Sequence, residues 1–138
     1  MDRTSSPRND DEGIEQSIVS KGLTAQRVTP ADVANEIASE HYFTAEQGAE
    51  KNAADFLKSA VGRGHPAEFG LPLPESLKLL TFCVLVLRNG FTVTGESSCA
   101  SHEGFDADIG RRVARANAVQ RIWPLLGFRL KDALKQQG

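Results

Sequence analysis

From residue 29 onward, apolar positions recur at helical and strand-like spacings, and the elements follow from that pattern. Thr29-Pro30-Ala31-Asp32 reads as a helix start. Thr29 is the cap, Pro30 suits the first helical position, and Asp32 adds negative charge to the first turn. Val33 and Ile37 then lie four residues apart and give one short apolar stripe. Thr44-Ala45-Glu46-Gln47 starts a second helix, because Thr44 and Gln47 match a capping box. Phe43 stands just before that cap, placed to pack back on the first turns. The helix is expected to run to about Val61, to bury Ala49, Ala53, Phe56, Leu57 and Ala60, and to end at Gly62, Gly64 and Pro66. Residues 62–76 form a Gly/Pro-rich connection held down by Phe69, Leu71 and Leu73.

The clearest local signal comes next. Phe82–Arg88 and Phe91–Ser97 are β-prone runs on either side of Asn89-Gly90, which predicts a β-hairpin over about residues 79–97 with a two-residue type I′ turn. Such a loop sets the register: Val86 opposite Val93 and Val84 opposite Gly95. The face with Phe82, Val84, Val86, Phe91 and Val93 is then expected to rest on the helices. Cys83, Leu85 and Leu87 form a second apolar face. A lone hairpin is marginal in water, so that face needs a cover, either residues 66–76 or another subunit.

A long helix is expected over about residues 105–123, with Asp106 or Asp108 at its N-terminus. Its apolar stripe is Ile109, Val113, Ala116, Val119, Ile122 and Trp123, and its opposite side carries Arg111, Arg112, Arg115 and Arg121. Pro124 stops or kinks it. Leu125, Leu126, Phe128, Leu130 and Leu134 suggest a final short helix. The fold class is therefore α+β: two N-terminal helices, a β-hairpin, a long helix and a short C-terminal helix. Residues 28–138 make a single domain. Residues 1–27 are rich in polar side chains and read as a flexible tail.

Composition narrows the function. The chain has 138 residues, 40% hydrophobic and 25% charged, with a formal net charge of -2, as in an ordinary globular domain. That charge argues against a protein that coats nucleic acid through bulk attraction. No run approaches the ~18 apolar residues of a membrane span, so no membrane partner is expected. The polar, acidic N-terminus is not a secretory signal, and Cys83 and Cys99 lie in no metal or redox spacing. The expected setting is the cytoplasm, with two reduced thiols and no cofactor.

Three passages together resemble a known family. They are TPADVANEIASEHYFTAEQG, then LTFCVLVLRNGFTVTGESSCAS, then EGFDADIGRRVARANAVQRIWPLLGFRL. They are similar to the phage protein family named after the gene 49 product of coliphage N-four and the gene 66 product of Shigella phage Sf-six. The similarity covers roughly residues 29–134, and the combination of NGFTVTGES, FDADIG and IWPLLGF carries most of it. Ser101-His102 departs from the pattern, where a proline is expected in the loop. The resemblance implies a small accessory protein of tailed phages and prophages, and it implies no reaction.

The loop of residues 95–105 concentrates Glu96, Ser97, Ser98, Cys99, Ser101, His102 and Glu103 ahead of a helix. Cys99 and His102 have no orienting third group, so no catalytic residue is assigned. No metal ligand set is assigned either, since His41 and His65 lie in separate elements. A phosphate-bearing nucleotide or a nucleic acid would use Ser97, Ser98, His102, Arg111 and Arg115 at the loop–helix end. Asp106 and Asp108 compete with any anion there. The favoured expectation is a non-enzymatic protein that binds a host protein, or itself as a homo-oligomer. The interface residues for that role are Leu85, Leu87, Leu126 and Phe128.

Overall fold

A computed structural model describes residues 7–23, 25–59 and 71–138, with side chains from residue 11 onward. It shows an α+β fold: a three-stranded antiparallel sheet in the order β1-β2-β3, covered on one face by helices. The expected helix end near Val61, the connection through residues 62–70 and His65 lie outside the described residues.

Within the polar N-terminal segment, Pro7–Ser20 form helix α1. Its described side chains are held by polar contacts rather than by burial. Arg27 donates two hydrogen bonds to Glu15 (2.5 and 2.9 Å), and the Gln120 amide donates to Asp11 (2.9 Å). Helix α2 (Pro30–Glu36) starts at the expected capping box. The Thr29 hydroxyl accepts from the Asp32 N–H, and the Asp32 carboxylate accepts from the Thr29 N–H.

The chain then departs from expectation. Ile37–Thr44 form strand β1, which pairs with the first strand of the hairpin. No alternation announces it, because its helix-facing positions include the charged Glu40. The ladder to β2, not local propensity, makes it a strand. A bulge between Ile37 and Ser39 takes up one residue, so Ile37 and Tyr42 both pack on the core. The second capping box holds: Gln47 N–H donates to Thr44 Oγ1 (3.2 Å) and Thr44 N–H to Gln47 Oε1 (2.9 Å), starting helix α3 (Ala45–Ser59). Phe43 stacks on Phe82, their ring centres 5.5 Å apart. On α3, Ala53 is buried, whereas Phe56 and Leu57 are exposed, contrary to expectation. The sheet's buried face is taken by another helix.

A 3-10 turn (Glu75–Leu79) leads into β2 (Leu80–Leu87), which the hairpin joins to β3 (Thr92–Ser98). The register is one residue off the expected one. Leu85 lies opposite Val93 and Cys83 opposite Gly95. The loop is three residues, Arg88–Gly90. Leu87 N–H donates to the Phe91 carbonyl (2.8 Å) and Gly90 N–H to the Leu87 carbonyl (2.9 Å), with Gly90 at φ +89°. Asn-Gly serves either turn, since both place glycine at positive φ. A one-residue slip reverses every side chain. Thr81, Cys83, Leu85, Leu87 and Val93 therefore face the helices and are buried, while Phe82, Val84 and Val86 are half-buried on the other side. This register buries two leucines and sets Gly95 beneath a helix.

That helix is α4 (Ala107–Gln120), capped by Asp106, whose carboxylate accepts from the Ile109 N–H (3.0 Å). Its buried seam is Gly110, Ala114 and Ala118, not the expected stripe; Ile109 is exposed and Val119 only packs on the core's margin. A Cβ on Gly95 would stand 2.2 Å from the Ala114 carbonyl oxygen and 2.3 Å from the Ala118 nitrogen. Backbone thus lies on backbone, and only small residues fit. Helix α5 (Ile122–Gln137) is 16 residues against 14 for α4, so the C-terminal helix is the longer one. Pro124 sits in its first turn, where a missing N–H costs nothing. Its ring would crowd the carbonyl of Gln120, four residues back, which is where α4 ends. Ile122 and Leu126 complete the core.

Candidate functional site

Of the five residues expected around a phosphate, Arg115 is turned away from the β3 serines. Ser97 stands in the ladder opposite Thr81 and Ser98 opposite Leu80, both on β3. Arg115 reaches to the other edge of the sheet, where its Nε and Nη2 donate to the Glu40 carboxylate of β1 (2.9 and 3.1 Å). Two inter-strand spacings, about 10 Å, separate those edges. His102 is exposed in the loop, and Arg111 lies one turn before Arg115 on α4.

The loop's polar groups bond to one another. Cys99 N–H extends the ladder to Leu79 (3.0 Å), its thiol donates to the Ser101 carbonyl (3.2 Å), and the Ser101 hydroxyl accepts from Gly104 N–H (3.3 Å). These are turn-forming roles. Asp106 fills the end of α4, and Asp108 pairs with Arg112 (2.9 Å). Among the described residues no three His, Cys, Asp or Glu side chains converge as metal ligands.

Arg115 meets a partner that no local sequence pattern announces. The Tyr42 hydroxyl donates to the same Glu40 carboxylate (2.7 Å). Arg115, then Tyr42, hold the Glu40 carboxyl below its usual range against the opposing effect of burial. Burial and the bond to Glu40 push the Tyr42 hydroxyl up, and burial raises the neighbouring Cys83 thiol. Glu40 and Tyr42 alternate along β1, so once β1 is known to be a strand the pair is legible. Read as helix, it is not.

A second polar cluster lies at the opposite end of the core, also unforeseen. Arg129 on α5 donates two hydrogen bonds to the buried Glu36 of α2 (2.8 and 3.2 Å). Arg88 of the hairpin loop covers the end of α2, its N–H on the Glu36 carbonyl (3.0 Å) and its Nε on that of Asn35.

Of the four residues expected at an interface, Leu85, Leu87 and Leu126 lie in the core. Phe128 is 73% exposed, and Leu125, one turn before it on α5, is 36% exposed. Phe91 at the start of β3 is 55% exposed. No helix among the described residues is long and apolar enough to cross a membrane.

Residues 28–134 match the phage protein (N4 Gp49/phage Sf6 gene 66) family, and the chain belongs to it. No curated protein and no solved structure matches the chain.

Proposed function

We propose that this member of the phage family is a non-enzymatic accessory protein that binds through apolar surface on α5, to a host protein or to a second copy of itself. The observation that carries this reading is Phe128, an aromatic ring 73% exposed beside Leu125 on a rigid helix. Exposed aromatic and aliphatic side chains at one site mark interaction surfaces, and aromatics supply much of their binding energy. The same reading has the protein working in the host bacterial cytoplasm, which the two unpaired cysteines support.

The test is a photo-crosslinking phenylalanine analogue at position 128, expressed in phage-infected cells. A discrete adduct, absent when the analogue replaces the exposed Lys135, is expected. Its mass distinguishes a second copy from a host protein. Equal, diffuse labelling from both positions overturns the reading.

A second reading, binding of a nucleotide-like phosphate or nucleic acid, has one observation in its favour. Arg111 and Arg115 lie on successive turns of α4, and Arg111 makes no ion pair among the described residues. Glu40 neutralises Arg115 and would have to yield to the phosphate. Titration with AMP and with a short single-stranded DNA at rising salt tests it. Phosphate contacts predict affinity that falls steeply with salt and is lost in Arg111→Ala.

A further inference from the structure

Between α2, the hairpin loop and α5 lies an open groove of about 480 Å³, in the size range of small-ligand sites. It is distinct from the exposed Phe128 surface and from the α4 arginines. Its apolar wall comes from Val28, Leu126, Leu130 and Ala133. Its polar rim comes from Arg27, Arg88 and Arg129, with Asp32 and Glu36.

Both carboxylates are already committed. Asp32 caps α2, and Glu36 accepts two bonds from Arg129. Arg27 spends two donors on Glu15. Arg88 is different. Its Nε rests on the Asn35 carbonyl, and among the described residues its terminal nitrogens meet no acceptor. A guanidinium carries five N–H donors in a planar fork shaped for a carboxylate or phosphate. Glu15 balances Arg27, Glu36 balances Arg129, and Asp32 shares the rim with Arg88, so what the groove offers a ligand is the unspent donors of Arg88 and not a net charge.

We infer that this groove binds a singly charged organic anion. The Arg88 guanidinium takes the anionic head, and Leu126, Leu130 and Ala133 take an apolar body. Leu126 belongs to the core, and the Arg88 backbone is held to the end of α2 by its N–H on the Glu36 carbonyl. A dianion would bring a second negative charge up to Asp32 and Glu36 with only the Arg88 guanidinium to receive it. A neutral molecule of the same shape would leave the Arg88 donors without an acceptor, at a cost of desolvation.

NMR titration of the full chain with hexanoate, with hexanamide and with inorganic phosphate tests this. Hexanoate is expected to give saturable shifts at the Arg88 side-chain N–H and the Leu126 and Leu130 methyls. Hexanamide and phosphate are each expected to bind at least about tenfold more weakly, since one lacks the charge and the other the apolar body. Arg88→Gln is expected to lower hexanoate affinity about tenfold or more. Because Arg88 also caps α2, Ala133→Asp serves as the second variant. It places a carboxylate at the rim from an exposed helical position and is expected to abolish binding with the amide spectrum otherwise unchanged. Equal affinity for hexanoate and hexanamide, or hexanoate binding that survives Ala133→Asp, overturns the inference. Neither result bears on the crosslink from position 128.

Discussion

Helix α4 is held to the sheet in two different ways on its two sides. Over β3 it lies backbone to backbone, with Ala114 and Ala118 fully buried against Gly95. Over β1 it is bracketed at a distance, by Arg115 reaching to Glu40, whose carboxylate also accepts from Tyr42. The first contact depends on the absence of atoms and has no room to adjust. The second depends on long side chains whose ends are about one-third exposed, 31% for Arg115 and 35% for Glu40, so solvent can replace much of what is lost. One helix thus has a seam that decides whether the fold exists and a bracket that tunes it.

The sharpest way to break the comparison is Gly95→Val. A Cβ there meets the Ala114 carbonyl and the Ala118 nitrogen well inside contact distance, and both are backbone atoms that cannot rotate away. A loss of about 3 kcal/mol or more is expected, enough to leave a small domain largely unfolded. Circular dichroism and urea titration would read it. A variant folded to wild-type stability would show that α4 does not lie on β3 at this point.

Next comes the core beneath the seam. Leu85 is fully buried on the central strand. Leu85→Ala is expected to cost about 3 kcal/mol in urea unfolding, within the range for buried leucines. The register makes this informative. Had the hairpin closed with a two-residue loop, Val84 and Val86 would occupy the helix-facing positions and Leu85 would point away. Val84→Ala is therefore expected to cost distinctly less than Leu85→Ala. The reverse order would restore the two-residue loop.

Legibility followed the range of the interaction. Thr29 with Asp32, Thr44 with Gln47, and Asp106 ahead of α4 were readable because each cap is closed by residues three apart. The glycine turn at Gly90 was readable for the same reason. The register was not, since Asn-Gly suits both a two- and a three-residue loop. What separates them is the clearance under α4, a contact between Gly95 and residues nineteen and more positions away. β1 was hidden because its helix-facing side carries Glu40, whose partner Arg115 is 75 residues on. The two polar clusters and the groove at Arg88 are long-range in the same sense. The loop serines drew attention by composition alone, and the fold spends several of them on ladder and turn.

Asp106 belongs to neither contact and tests whether α4 depends on its own start as well as on its docking. Asp106→Ala removes the acceptor for Ile109 N–H and is expected to cost about 1 kcal/mol in urea unfolding. Asp106→Asn keeps the acceptor and should recover most of it. Equal losses in both variants would assign the effect to charge at the helix end instead.

The bracket over β1 is where the smallest effect is expected, and its pH dependence identifies it. Arg115→Ala should cost about 0.5 kcal/mol at neutral pH, as partly exposed ion pairs do. Arg115 depresses the carboxyl of Glu40 in the folded state, so the folded protein holds that proton less tightly than the unfolded chain. The stabilisation is therefore present above the ordinary glutamate value of about 4.3 and is lost as pH falls through the lower folded value. Wild type and Arg115→Ala should differ at pH 7 and converge in acid. Glu40→Gln should show the same convergence, because it removes the titrating group itself. A difference between wild type and Arg115→Ala that persists unchanged in acid would mean that Arg115 acts by packing its stem on the sheet rather than by its charge. In that case the two sides of α4 would be held by the same kind of force, and the contrast between seam and bracket would be one of degree.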